Sequence, residues 1–181
     1  MFPTWDSDLF QLIHQAHQPW LDLPMVIISE KSTWVPLYIF LIYVLYKAYQ
    51  SEVWKSILYL ISTVILADQV SSSVFKPLFK RLRPCHVEAF QSWIHLPDGC
   101  GGLYGFCSSH SANAFAVAMG FYLLTKNKFA GSLLLVWAIM ISYSRIYLGA
   151  HYPLDVLVGA LIGGVGAWGL FQFYVKLTKK S

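Results

Sequence analysis

Long apolar blocks separated by short polar joints run through this chain. Five of them approach the length of a membrane helix: 32–46, 56–75, 108–125, 129–147 and 154–175. A helix that crosses the hydrocarbon core takes about 20 apolar residues, and a Lys or Arg at its end can reach back to the headgroups. The first block is short by that measure, and Lys47 is placed to snorkel. The second carries Asp68 inside its run. The fifth has no charge from Val156 to Val175. Its Gly159-x-x-x-Gly163 and Ala160-x-x-x-Gly164 spacings put small residues on one face, where another helix can come close. The fold expected is all-α: a polytopic membrane helix bundle, one domain over residues 1–181, with its transmembrane core at 32–175.

Ahead of the first block the pattern changes. Leu9, Leu12, Ile13 and Ala16 recur at helical spacing, with Gln11, His14, Gln15 and Gln18 elsewhere on the turn. That arrangement predicts an amphipathic helix lying in the membrane interface. Pro19 is expected to end it, and a short apolar helix over 21–29 to dip into the bilayer. Residues 1–31 are then interfacial, with a sixth full span as the alternative. No cleavable signal peptide is expected, because the first nine residues carry Asp6 and Asp8 and no cation.

Composition agrees with a bilayer protein. Hydrophobic residues make up 56% of the chain and charged residues 12%, with a mean hydropathy of +0.52. A soluble domain carries about twice that share of charge. The net charge of +4 is modest, and no nucleic-acid partner is expected. Where the cations fall matters more. If the five blocks alternate across the membrane, Lys47, Lys55, Lys126, Lys128, Lys176, Lys179 and Lys180 share one side, which the positive-inside bias makes cytoplasmic. The other side receives the N-terminus, the loop 76–107 and the turn 145–153. The chain is thus expected to be a multi-pass protein of the inner (plasma) membrane with an extracytoplasmic loop at 76–107. Lys76, Lys80, Arg81 and Arg83 defy the bias, and anion binding is the reason expected for such a cluster.

Three segments on that outer side carry the candidate chemistry. In 76–84, Lys76 supplies a point charge and Arg83 a planar fork that matches two phosphate oxygens at once; Lys80 and Arg81 read as ordinary interfacial cations. Cys107-Ser108-Ser109-His110 opens a helix, where a serine cap and free N–H groups suit a phosphate. In 144–155, Arg145 ends an apolar helix, and His151 and Asp155 are four residues apart. That spacing lets the carboxylate fix the imidazole tautomer, and an oriented histidine can act as nucleophile or base.

Together these segments resemble the signature of the type-2 phosphatidic acid phosphatase superfamily, which also includes the vanadium haloperoxidases. The family pattern is Lys-x6-Arg-Pro, Pro-Ser-x-His and Ser-Arg-x5-His-x3-Asp. Lys76 to Pro84 and Ser144 to Asp155 fit without gaps, while Cys107 stands where the family has proline. The resemblance implies an enzyme in which His151 attacks phosphorus and forms a phosphohistidine, with Asp155 orienting it. His110 protonates the leaving oxygen and then activates water. Lys76, Arg83, Ser108, Ser109 and Arg145 bind the phosphoryl group. No metal and no cofactor are implied.

The expected partner is a lipid phosphate or diphosphate in the bilayer. Undecaprenyl diphosphate is the first choice, with phosphatidylglycerol phosphate, phosphatidic acid and lipid A 1-phosphate as alternatives. A non-catalytic lipid-binding or transport protein of the same fold would have lost a catalytic residue, and a phosphatase for soluble esters would carry a polar funnel. A Cys85–Cys100 disulfide is expected to staple the loop over the site, leaving Cys107 reduced. His86 and His95 read as surface residues or contacts at the substrate's edge, and Asp68 as a structural partner for a nearby cation or hydroxyl.

Overall fold

In the computed structural model of the chain, residues 2–178 are described; the tail lysines Lys179 and Lys180 lie outside them. Eight α-helices follow in order: α1 Thr4–Gln15, α2 Pro19–Ser29, α3 Val35–Tyr49, α4 Val53–Gln69, α5 Lys76–Phe79, α6 Ser109–Thr125, α7 Lys128–Tyr147 and α8 Pro153–Thr178. Among the described residues there is no strand, only an isolated antiparallel bridge between Leu82 and Tyr104. Helices α3, α4, α6, α7 and α8 fall on the five apolar blocks.

Three helical stretches are long and apolar enough to cross a membrane: Lys31–Phe79, Lys128–Tyr147 and Pro153–Thr178. The first holds 49 residues. As one straight helix it would reach roughly 74 Å, far beyond about 30 Å of hydrocarbon. It does not run straight. Gln50 takes φ +50°, the helix breaks there, and α4 packs back along α3. The outward faces carry Ile39 and Phe40 on α3, Leu58 and Ile65 on α4, Val136 and Ile139 on α7, and Leu161 and Val165 on α8, all exposed. Lipid is the solvent in which such a surface is stable.

At the centre stands α6, which packs against α3, α4, α7 and α8. It can do so because it is lined with small residues: Ala112, Ala114, Ala116, Ala118 and Gly120 are all buried. Opposite them, Gly159 and Gly163 of α8 lie so close that a Cβ on Gly163 would collide with the Ala112 carbonyl and one on Gly159 with the Ser108 carbonyl. The first small-residue spacing is therefore the helix contact. The second is not: nothing lies within 4 Å of a Cβ placed on Gly164. Away from the start of α6 the core is aromatic and aliphatic, with Leu45, Tyr59, Phe121 and Trp137 buried together.

Two expectations for the N-terminus need correction. Pro19 does not end the first helix; it opens the second, where its fixed φ and missing N–H suit a first-turn position. The buried face of α1 is also different. Asp6, Phe10 and His14, one turn apart each, face inward, while Leu12 is 70% exposed. Phe10 packs with Ile146 and Tyr152, and the two polar residues find partners inside, so tertiary contacts override the apolar stripe. Neither α1 nor α2, at 12 and 11 residues, is long enough to span the bilayer alone.

Candidate active site

Three pieces of chain meet beyond one end of the bundle. The first is the continuation of α4. A π-helical segment, Val70–Phe75, follows it and leads into α5, and such insertions re-aim side chains near functional sites. Here the segment brings Lys76 to the start of α6, where its Nζ donates to Ser109 Oγ at 3.2 Å. Ser71 Oγ of the same segment lies 2.9 Å from Ser109 Oγ and 3.0 Å from the Asp68 carbonyl. Lys80 then adopts a left-handed conformation (φ +47°) that ends α5 and turns the chain toward Arg81 and Arg83.

The second piece is the start of α6. Ser108 is the N-cap and its Oγ accepts the Ser111 N–H at 3.4 Å. The residue is fully buried, and its own N–H donates to the Asp155 carbonyl at 2.9 Å. Its hydroxyl is thus committed to capping the helix start. One turn on, Ser111 Oγ donates to the Val156 carbonyl at 2.8 Å and accepts from Ser142 Oγ at 3.0 Å. These bonds fix α6, α7 and α8 in one register directly beneath the site.

The third piece joins α7 to α8. His151 is 1% exposed, and its Nδ1 faces Asp155 Oδ2 at 3.4 Å. With the hydrogen on Nδ1, the lone pair is on Nε2. The cations that act on the ring are Arg83, Arg145 and Lys76. Burial, and then these cations, push the His151 imidazole well below its ordinary range. It is held neutral, the form a nucleophile needs. Around His110 stand Arg145, His151, Lys31 and Arg83. Lys76, Arg83, Arg145, His110 and His151, separated in sequence, thus share one electrostatic neighbourhood.

Arg145 is nearly buried and donates to Ser29 Oγ of α2, yet its Nε is buried without a partner. A buried unpaired donor is costly, and an anion in the site would satisfy it. Burial also lowers the Arg83 guanidinium from its ordinary value, with Asp155 opposing the shift. Gly101 and Gly105 make room for Arg83: a Cβ on either would come within 3.1 Å of its side chain.

Arg81 departs from expectation. It is not an interfacial cation. Its guanidinium is buried, donates to Asp155 Oδ1 at 2.7 Å and pairs with Asp6 Oδ2 at 2.6 Å. The Asp6 contact is an ion pair without hydrogen-bond alignment. Phe2 and Tyr152 cover the guanidinium, with ring centroids 4.1 and 3.7 Å away. Asp6 Oδ1 in turn accepts the Leu154 N–H at 2.8 Å, at the first turn of α8. The orienting carboxylate is therefore itself oriented, by a chain that ends on α1. Asp6 was the available signal, a carboxylate in an apolar segment that needs a cation if buried; nothing in the spacing says which cation.

The loop over the site carries the expected Cys85–Cys100 disulfide, with Cα atoms 5.8 Å apart. Cys107 is a free, buried thiol pushed up to about 11 by burial. Among the described residues, Cys85, His86 and Cys100 are the group whose ligand atoms lie close enough for a metal, and their two sulfurs are bonded to each other. His95 is more than a surface residue: its N–H donates to His14 Nε2 at 2.9 Å and its ring meets Asp22 at 2.8 Å. His86 sits 2.9 Å from the Gly101 carbonyl. Asp68 accepts from the Asn113 amide at 3.1 Å.

The buried His151–Asp155 pair, with Lys76, Arg83 and Arg145 in the same electrostatic neighbourhood, lies at one end of a helix bundle with an apolar exterior. The chain belongs to the PAP2 superfamily, whose family model matches residues 52–179, and it is a membrane phosphatase of that family. It is 35% identical to the lipid A 4'-phosphatase of Bacteroides thetaiotaomicron over 97% of this chain and 79% of the relative. It is 28% identical to undecaprenyl-diphosphatase BcrC of Bacillus subtilis over 92% of this chain and 82% of the relative. The crystal structure of Aquifex aeolicus LpxE superposes with a TM-score of 0.72 at 28% identity, covering 94% of this chain and 96% of that one.

Proposed function

We propose that this phosphatase removes a phosphate monoester from a phosphorylated glycolipid of the lipid A type. His151 Nε2 attacks phosphorus, the P–O bond to the lipid breaks, and His110 gives its proton to the departing oxygen. Water, deprotonated by His110, then attacks the phosphohistidine; the P–N bond breaks and inorganic phosphate leaves. Asp155 holds the Nδ1 hydrogen so that Nε2 stays in line. Lys76, Arg83, Arg145, the Ser109 hydroxyl and the first N–H groups of α6 bind the three equatorial oxygens and offset charge in the transition state. The observation that carries this reading is the buried His151–Asp155 pair within the field of Arg83, Arg145 and Lys76.

The substrate class rests on two supports. The apolar exterior and the cavity that starts at His110 favour a substrate arriving from the bilayer. The relative matched over nearly the whole chain at 35% identity is named for lipid A 4'-phosphate. Undecaprenyl diphosphate is the second reading, favoured by the match to the Bacillus subtilis enzyme at 28% identity. In the proposed topology five helices cross the inner membrane, 1–31 lies at the interface and the site faces outward. The lysines at the opposite end and the disulfide in loop 76–107 support that orientation.

The test is phosphate release from a lipid A-type phosphate and from undecaprenyl diphosphate, by purified protein in detergent with a chelator present. Wild type should turn over the glycolipid faster, and His151→Ala should lose at least about 1,000-fold, as expected for removal of a nucleophile. Turnover that survives in His151→Ala, or that needs added metal, would overturn the mechanism.

A further inference from the structure

His110 stands at the boundary between two environments. On one side is the phosphoryl cradle. On the other opens a cavity of about 620 Å³, running between α3 and α4 with Trp137 on its floor. Among the described residues, His110 lines this cavity and Lys76, Arg83, Arg145 and His151 do not. If His110 hands its proton to the leaving oxygen, whatever that oxygen is bonded to lies in this cavity.

The cavity is not apolar throughout. Besides His110, its lining includes Ser29, Lys31, Asp68, Gln69 and Asn113, and the rest is aliphatic and aromatic. Asp68 and Asn113 pair through the Asn113 amide at 3.1 Å, and the Asn113 Oδ1 is then buried with no partner. An unpaired buried carbonyl oxygen asks for a hydrogen-bond donor. Asp68 Oδ2 is a second acceptor in the same wall. Lys31 sits at the exposed rim, and Gln69 is engaged by Ser73 at 3.0 Å. The polar cuff thus offers Asn113 Oδ1 and Asp68 Oδ2 as acceptors, with the exposed Lys31 at its rim.

We infer that Asp68 and Asn113 form the leaving-group subsite and select a headgroup bearing hydroxyl or amide hydrogens over one whose next group is a second phosphate. Hydroxyl and amide donors satisfy Asn113 Oδ1 and Asp68 together. A diphosphate would bring a charged group with no donor hydrogen against the Asp68 carboxylate, which repels it. Beyond the cuff, the apolar part of the cavity takes the first carbons of the tail. This deepens the proposed function and rests on it: the acid at His110 fixes which side the leaving group occupies.

The experiment compares kcat/KM for two probes, a phosphorylated glucosamine-based lipid and undecaprenyl diphosphate, in wild type, Asp68→Asn, Asn113→Leu and Lys31→Gln. Loss of one such hydrogen bond corresponds to about tenfold. Asp68→Asn and Asn113→Leu should each lower glycolipid turnover about tenfold and leave diphosphate turnover unchanged or raised. Lys31→Gln, at an exposed position, should cost less than either. The inference is overturned if the two probes fall together in Asp68→Asn and Asn113→Leu. It is overturned equally if Lys31→Gln is the costly variant while Asp68→Asn speeds the glycolipid, the pattern of a second phosphate in the cuff. Wild-type release from neither lipid would instead overturn the phosphatase reading and this inference with it.

Discussion

Replacing Arg81 by methionine tests whether the site is held by a charge chain rather than by shape alone. Methionine roughly keeps the length and apolar stem, so packing between Phe2 and Tyr152 is largely preserved. What is lost is the cation between Asp155 Oδ1 at 2.7 Å and Asp6 Oδ2 at 2.6 Å. Both carboxylates are fully buried and the arginine side chain is 7% exposed, so water cannot substitute for the missing partner. Breaking a buried ion pair from one side costs about 3–5 kcal/mol. Asp155 also loses the contact that fixes its carboxylate plane, and with it the hold on His151 Nδ1. The expected outcome is a folded but destabilised protein, about 3 kcal/mol or more weaker to denaturant, with kcat down by about 100-fold or more and KM little changed.

Asp6→Asn provides the partner measurement. It keeps the acceptor for the Leu154 N–H and leaves Arg81 on Asp155, so its effect should be about 1–2 kcal/mol with most activity retained. Combined with Arg81→Met it removes the second stranded carboxylate. The double variant should therefore be more stable than the sum of the singles by about 1–3 kcal/mol. Denaturant unfolding in one detergent and phosphate release on one substrate supply both numbers. Strict additivity, or an Arg81→Met protein with wild-type kcat, would refute the charge chain.

Helix packing, the loop and pH response make further predictions. Gly163→Ala should destabilise the protein by about 1–3 kcal/mol because its Cβ meets the α6 backbone, while Gly164→Ala, with open space around it, should leave the unfolding midpoint unchanged. Reversal of that order would mean the α6–α8 contact is misassigned. Unreduced peptide mapping should recover Cys85 linked to Cys100 and Cys107 alkylated only after denaturation; removal of the link, whose ends are separated by 15 in sequence, should cost about 3 kcal/mol. His14 and His151 are both held below the ordinary histidine value of 6.5, chiefly by burial. The unfolded chain takes up those protons first, so stability is flat above about pH 6.5 and falls as pH drops below it. His14→Gln should reduce that slope, and an unchanged slope would remove His14 from the account.

How far the sequence could be read depended on the kind of signal. The apolar blocks and the three motif segments are local patterns, and the helices and the cation–histidine cluster followed them closely. The break between α3 and α4 was legible because Gln50-Ser51-Glu52 interrupts two apolar runs. The inward face of α1 was not. Asp6 and His14 are polar in sequence, and only the burial of their partners, Arg81 with the Leu154 N–H and the His95 N–H with the Ile146 carbonyl, turns them into core residues. Arg81 was misread for the same reason. Its neighbours Lys80 and Arg83 are also cations, and one-dimensional spacing cannot tell which of them a distant carboxylate will claim. The Asp68–Asn113 pairing and the cuff it forms lie on two helices whose facing sides are set by the Gly and Ala contacts of α6, which a single sequence does not orient.

In the proposed mechanism His151 carries the phosphoryl group between the two half-reactions. The most direct measurement is to mix the wild-type protein with lipid substrate labelled in its phosphate, quench in alkali within the first turnover, and map the label. The label should sit on the peptide containing His151, be released by acid, and vanish in His151→Ala. Label on any other residue, or none while phosphate is still released, would contradict it.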